Sequence, residues 1–179
     1  MPEESTLTER AKVTHYYGKY RGTVIDNVDP LQIGRILVQV SDASNILPST
    51  WAMPCVPFAG IQSGFFVVPP IGSGVWIEFE QGNTDYPIWT GGYWGSAEEV
   101  PALVLAAPPG EQPIVIQTLL ENTLMISDVP GPTGGILLKN NTGALISISD
   151  TGIIITNGEA SIVLEGPTVT INEGALAVV

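Results

Sequence analysis

The fold of this chain is decided by its last third, residues 136–179, which read ILLKNNTGALISISDTGIIITNGEASIVLEGPTVTINEGALAVV. Short stretches rich in Ile, Leu and Val alternate there with turns, and each turn contains glycine. The turn glycines fall six to nine residues apart, at Gly143, Gly152, Gly158, Gly166 and Gly174. A short period with one turn per unit predicts a repetitive β-structure rather than an ordinary globular domain.

Within these units the apolar side chains lie mostly two residues apart, which is the spacing of one face of a β-strand. One face of each strand is therefore expected to be buried. We expect these residues to form the core of the assembled region: Ile136, Leu138, Ile146, Ile148, Ile153, Ile155, Ile162, Leu164, Val169 and Ile171.

Such strands are short, and a single ribbon of them has neither a second layer nor closed edges. Three chains wound around one axis would solve both problems, with strands paired between chains and the Ile, Leu and Val side chains inside. The sequence therefore predicts an intertwined trimeric β-helix, a triangular β-prism. The alternatives are a β-sandwich and a single-chain β-solenoid, although a solenoid coil usually needs about twenty residues, more than these units contain.

Upstream of this region the chain is also β-rich, with no helical period. Residues 36–40 read ILVQV, and residues 72–82 read GSGVWIEFEQG, in which Val75, Ile77 and Phe79 share one strand face. Several short, turn-rich strands in this part of the chain predict a small closed barrel of the OB type. The whole chain is thus expected to be all-β.

These patterns divide the chain into four parts. We expect an N-terminal arm over residues 1–15, an OB-fold domain over 16–96, a linker over 97–113 and the trimeric β-helical region over 114–179. The linker is rich in proline, and it has room for one helical turn.

Composition excludes several functions. The formal net charge is −12, and beyond Arg35 the only basic residue is Lys139, so a surface for nucleic acid is not expected. Cys55 is the only cysteine, which excludes an intrachain disulfide and a cysteine-rich zinc site; we expect it to be buried. No cofactor is predicted.

Enzymatic chemistry finds little support. Glu78 and Glu80 are predicted to share a strand face, and a glycosidase needs two such carboxylates. Neighbouring carboxylates on a strand are far more often solvated charges, so no catalytic residue is predicted. His15 is the only histidine and offers no nucleophile and base set.

Three segments carry a resemblance to a known family. They read YRGTVIDNVDPLQIGRILVQV (20–40), GSGVWIEFEQGNTDYPIWTGGYWG (72–95) and NTLMISDVPGPTGGILLKNNTGALISISDTGIIIT (122–156). In this order they resemble the OB-fold spike proteins of contractile injection machines. These are phage baseplate assembly protein V, the central spike of T4-like tails and the type VI secretion VgrG proteins.

The resemblance implies a structural role. It implies a homotrimer with a collar of OB domains under a separate hub protein, and a needle that a contracting sheath drives through the bacterial envelope. The expected location is a virion tail baseplate or an extracellular contractile particle, after synthesis in the cytoplasm without a signal peptide. The alternative function is an OB-type module for carbohydrate or oligonucleotide on a trimeric stalk.

The far end departs from some phage relatives, which bind iron at the tip through a His-x-His motif. With His15 as the only histidine, no metal site can be carried over. The apolar end formed by Leu176, Ala177, Val178 and Val179 is instead expected to dock a separate tip protein of the PAAR type.

Overall fold

The structure is a computed structural model, and it describes residues 14–40 and 50–178, with no side-chain detail for residues 177 and 178. The chain forms two compact units, Met1–Gly95 and Ser96–Val179. The regular secondary structure of both is almost entirely β-strand, so the all-β prediction is confirmed. The arm expected at residues 1–15 lies, but for its last two residues, outside the described residues.

The first unit is a five-stranded sheet in the order β2-β1-β6-β7-β3, with a separate small hairpin, β4-β5. Strand β3 runs parallel to β7, and the other pairs are antiparallel. The strands of this unit are β1 (Tyr20–Asp26), β2 (Leu37–Val40), β3 (Met53–Pro54), β4 (Ala59–Gly60), β5 (Ser63–Gly64), β6 (Gly74–Phe79) and β7 (Pro87–Tyr93).

The core of this unit comes from one face of each long strand. The predicted alternation in β6 is confirmed, because Val75, Ile77 and Phe79 are buried while Trp76 and Glu78 are only half-buried. The other core residues are Val24, Ile36, Val38, Val40, Ala52 and Trp89. Period-two burial of this kind fixes the register of each strand, because a slip by one residue would expose the whole set.

A buried ion pair holds the loop between β1 and β2. Asp29 accepts hydrogen bonds from Arg35 at 2.6 Å (Nη2) and 2.9 Å (Nε), and from the backbone N–H groups of Leu31, Ile33 and Arg35. Its side chain is only 4% exposed. The Arg35 guanidinium, helped by these N–H groups, holds the pKa of Asp29 well below its ordinary value. This charge is therefore fully satisfied by groups of its own loop.

The second unit is an eight-stranded antiparallel meander, in which every strand pairs with the next one in sequence. One helical turn, α1 (Ala102–Leu105), precedes it, inside the segment predicted to be a linker. The strands are β8 (Ile114–Gln117), β9 (Thr123–Ser127), β10 (Gly135–Lys139), β11 (Leu145–Ser149), β12 (Gly152–Thr156), β13 (Ser161–Glu165), β14 (Thr168–Ile171) and β15 (Leu176–Val178).

Strand pairing within the chain is sequential throughout the meander. Each of β9 to β14 has a partner from its own chain on both edges, so open edges remain only on β8 and β15 within this sheet. The physical reason is turn length: tight turns join antiparallel neighbours directly and place the next strand beside the last. The sheet is a single layer, unlike the sandwich and solenoid alternatives. A neighbouring chain can therefore meet it mainly through its faces.

Asparagine side chains close the turns along one edge of the meander. Asn140 Oδ1 accepts from the N–H groups of Thr142 and Ala144, and Asn157 Oδ1 accepts from those of Glu159 and Ala160. These contacts replace backbone partners that the reversing chain loses.

Two further asparagines join one turn to the next. Asn122 Oδ1 accepts from the Asn141 N–H at 3.2 Å, and Asn172 Oδ1 accepts from the Ser161 N–H at 2.9 Å. On the other edge, Asp150 Oδ2 accepts from the Gly131 N–H at 3.2 Å. Successive turns are thus linked to each other as well as closed.

We predict that Asp29→Asn lowers the melting temperature at neutral pH and flattens its acid dependence. Because folding depresses the pKa of Asp29, its contribution is present above the ordinary value of 3.8 and is lost as the pH falls below it. Thermal unfolding followed by tryptophan fluorescence between pH 7 and pH 2.5 measures both effects. Asp26→Asn is the control, since Asp26 only caps the Val28 N–H. Equal melting curves for the two variants would contradict the prediction.

We also predict that Gly135→Ala disrupts the meander far more than Gly143→Ala does. Both glycines have positive φ, +78° and +101°, so each substitution carries a backbone cost of about 1–2 kcal/mol. A Cβ at Gly135 would also lie 1.9 Å from the Ile148 carbonyl oxygen, whereas at Gly143 nothing lies within 4 Å. Denaturant unfolding of the two variants measures the difference. A similar loss in both would show that β10 and β11 do not approach as described.

Candidate subunit interface

Two rows of aliphatic residues cross the meander on one face. The register places Ile136 opposite both Ile126 and Ile148, and Leu138 opposite both Leu124 and Ile146, and the same pairing continues in both directions. The first row is Ile114, Ile126, Ile136, Ile148, Ile153, Leu164 and Val169. The second row is Ile116, Leu124, Leu138, Ile146, Ile155, Ile162, Ile171 and Leu176. We call these two rows the apolar face.

The apolar face is open to solvent in the single chain. Its exposed members range from 36% exposure at Leu164 to 67% at Ile114. Monomeric soluble proteins rarely leave so continuous an apolar surface in water. Burying apolar surface stabilises by roughly 25 cal/mol for each Å² removed from water, so covering the two rows strongly favours association.

The sequence predicted most of this face and missed its beginning. All ten residues expected to form a core, Ile136 to Ile171 in the series above, lie in the two rows. Ile114, Ile116, Leu124 and Ile126 extend the rows over β8 and β9 and were not among them. These two strands have the same alternating spacing, Ile-x-Ile in β8 and Leu-x-Ile in β9. They were missed because they precede the glycine repeat from which the face was predicted.

The opposite face of the meander is less apolar, and its side chains on β9 are buried. Met125 on β9 is 6% exposed, and Thr123 and Ser127 beside it are also buried. Farther along, this face carries Ser147 and Thr170, which lie in register on either side of Ile154 and Val163. The contrast between the two faces leaves one face that needs a partner.

The far end of the meander is β15. Leu176 there is 55% exposed, and β15 has a strand partner on one edge only. Of the other residues expected to dock a tip protein, Ala177 and Val178 belong to β15 through their backbone, and Val179 lies outside the described residues.

The two carboxylates considered for catalysis lie in different elements. Glu78 lies in β6, whereas Glu80 follows the last residue of β6 and begins the 3-10 segment Glu80–Gly82, in which Gln81 has a φ of +51°. Glu78 Oε1 accepts a hydrogen bond from Lys19 Nζ at 2.6 Å, and Lys19 also donates to Thr90. Glu78 is thus one half of a surface ion pair.

The other two side chains that were considered as reactive groups are His15 and Cys55. His15 contacts the Gln81 carbonyl oxygen at 3.1 Å and stacks on Tyr17. Cys55 is exposed, contrary to the expectation of burial, because its backbone pairs with Trp89 at the edge strand β3 while its side chain points outward. Among the described residues there is no group of three or more metal-binding side chains, and no helix is long and apolar enough to cross a membrane.

Comparison with known protein families gives a match for each of the two units. No curated protein matches the chain. Residues 20–94 match the family model of the type VI secretion system and phage-baseplate injector OB domain, so the OB prediction is confirmed. Residues 113–177, which contain the apolar face, match the phage baseplate V C-terminal trimerisation domain. Both are domains of structural proteins of a tail baseplate or injector, and together they show that the chain belongs to the phage baseplate V family, as a homotrimeric baseplate spike component.

Proposed function

We propose that this protein is the central spike of a contractile tail or injection machine, and that its needle is driven through a bacterial envelope when the sheath contracts. The observation that carries the proposal is the apolar face, two unbroken rows of aliphatic residues on a domain that trimerises. A rigid rod with a dry core is the assembly that such a sheet can make with two copies of itself.

The needle we propose is a triangular prism of three meanders. Each chain contributes one wall, and the three apolar faces meet on the axis. Neighbouring strands are spaced about 4.8 Å apart, so eight strands stacked along the axis give a rod of roughly 35–40 Å. The outer side of each wall carries polar residues such as Ser147 and Thr170, which are half-buried in the single chain.

Compression along the rod is resisted by hydrogen bonds that point along its axis. In an antiparallel sheet the backbone hydrogen bonds are perpendicular to the strands, and in a meander the strands lie across the rod. The turn contacts from Asn122, Asn172 and Asp150 run in the same direction. Force applied at the OB end is therefore carried through every strand to the tip.

Partners at the two ends complete the proposal. A separate hub protein holds the OB units from above, and a PAAR-type tip protein covers the far end at Leu176–Val179. The exposed Leu176 side chain and the open edge of β15 support such a cap. The envelope is contacted only during penetration. The domain expected at 114–179 serves as the needle, and the OB domain expected at 16–96 as its collar.

We predict that Ile148→Asp abolishes the trimer whereas Ser147→Asp retains it. The two positions are adjacent on β11 but point to opposite faces, and only Ile148 lies in the apolar rows. Three carboxylates buried on one axis would each cost several kcal/mol. Native mass and resistance to SDS measure the outcome against a chain mass of 18.9 kDa. A trimeric Ile148→Asp variant, or a monomeric wild-type protein, would refute the needle.

We predict that Leu176→Asp prevents binding of the tip protein and weakens the trimer less than Ile148→Asp does, because Leu176 is the last residue of its apolar row. Leu176 lies on the last strand, so a charge there replaces apolar contact surface at the end of the rod. Co-purification with a PAAR-repeat protein measures binding. Ala160→Asp, in an exposed turn between β12 and β13, is the matched control and should bind normally. Normal binding by Leu176→Asp would show that the tip protein binds at another site.

A further inference from the structure

One turn of the meander contains the only Asn-Gly step in the sequence, Asn157–Gly158. This turn joins β12 to β13, and both residues are exposed. An asparagine followed by glycine is chemically labile, because glycine has no Cβ to hinder attack of its backbone nitrogen on the preceding side-chain amide. The turn is therefore a candidate site for a covalent modification that needs no enzyme.

The modification is deamidation through a cyclic imide. The Gly158 nitrogen loses its proton and forms a bond to Asn157 Cγ, the Cγ–Nδ2 bond breaks, and Nδ2 takes up a proton and leaves as ammonia. Water then opens the ring at either carbonyl, which gives aspartate or isoaspartate in place of the asparagine. No oxidant, reductant or cofactor takes part. Either product adds one negative charge to the turn at neutral pH.

Hydrogen bonds engage both reacting groups in the folded turn. Asn157 Oδ1 accepts from the N–H groups of Glu159 at 3.0 Å and Ala160 at 2.7 Å, so its side chain is committed to closing the turn. The Gly158 N–H donates to Thr156 Oγ1 at 3.0 Å, and this bond stabilises the protonated nitrogen, which cannot attack. The Asn157 N–H also donates to the Ala160 carbonyl oxygen at 3.2 Å. Ring closure therefore requires the turn to open.

The turn between β10 and β11 provides an internal comparison. Asn140 Oδ1 also accepts from two N–H groups of its own turn, those of Thr142 and Ala144. The residue after Asn140 is Asn141, whose side chain hinders ring closure, whereas the residue after Asn157 is glycine. The two asparagines therefore have similar protection in the folded chain and different reactivity in the unfolded chain.

We propose that Asn157 is a deamidation site whose rate is set by the fold, protected in the closed turn and reactive when the turn opens. Isoaspartate inserts one extra backbone carbon into the turn, and turn length sets the register of the two strands that it joins. β12 and β13 contribute Ile155 and Ile162, which lie opposite each other in the apolar face. A chain that reacts before its meander closes therefore loses the alignment of that face.

Peptide mapping by mass spectrometry tests the proposal. The full-length protein is incubated at mildly alkaline pH, either folded in buffer or unfolded in guanidinium chloride, and is then digested with pepsin at low pH. In the unfolded chain we expect Asn157 to react faster than Asn140. In the folded protein we expect Asn157 to react on the order of ten-fold more slowly than in the unfolded chain, because only the open turn reacts. Equal rates in the two states, or a rate at Asn157 no higher than at Asn140 in the unfolded chain, would overturn the proposal.

A pair of variants tests the contact that Thr156 makes. Thr156→Val removes Oγ1, so Asn157 in the folded variant should deamidate about three-fold faster or more, as expected for the loss of one hydrogen bond. Thr170→Val, the same change on β14, is the matched control and should react at the wild-type rate. An unchanged rate in Thr156→Val, or an equal rise in both variants, would overturn the protective role of this contact. If Thr156→Val does not fold, the comparison of folded and unfolded wild-type protein still decides the proposal.

Discussion

The second unit depends on one constraint, which is that its sheet has an apolar face that its own chain does not cover. A single β-layer with Ile, Leu and Val on one side is stable in water only when a second layer removes that side from solvent. The strand edges are mostly satisfied within the chain, so the free energy of association comes from side-chain packing. In the proposed trimer, folding and assembly are therefore coupled, because this face becomes a hydrophobic core only when other copies cover it.

Two kinds of residue keep the rows of that face aligned. The period of two puts each aliphatic side chain on the correct side, and turns of fixed length keep neighbouring strands in register. Glycine is needed where the backbone comes closest, as at Gly135, and asparagine is needed where a turn must find new hydrogen-bond partners, as at Asn140 and Asn157. Turn chemistry thus determines whether the apolar face is continuous.

The sequence predicted the alternation of the apolar face but not which strands lie side by side within the chain. Ile136 and Ile148 alternate in the same way whether the neighbouring strand belongs to the same chain or to another, and only turn geometry distinguishes the two cases. Residues whose setting depends on tertiary structure were also misjudged. Cys55 lies at a sheet edge that its apolar neighbours do not reveal, and Glu80 leaves β6 because Gln81 adopts a left-handed conformation. In the OB unit, by contrast, Val75, Ile77 and Phe79 were predicted well, because half-buried strands leave a direct signal in sequence.

The meander also bears on how the spike is made. Because each strand pairs with its immediate successor, almost all contacts in the sheet are local in sequence, and local contacts form quickly. The hairpins of each chain can therefore form one after another, during or soon after synthesis. In the proposed trimer, the sheet becomes stable when the apolar faces of the three chains cover one another. The length of such a rod is set by the number of hairpins in each chain. Because every added hairpin makes only local contacts, a longer rod is not harder to assemble.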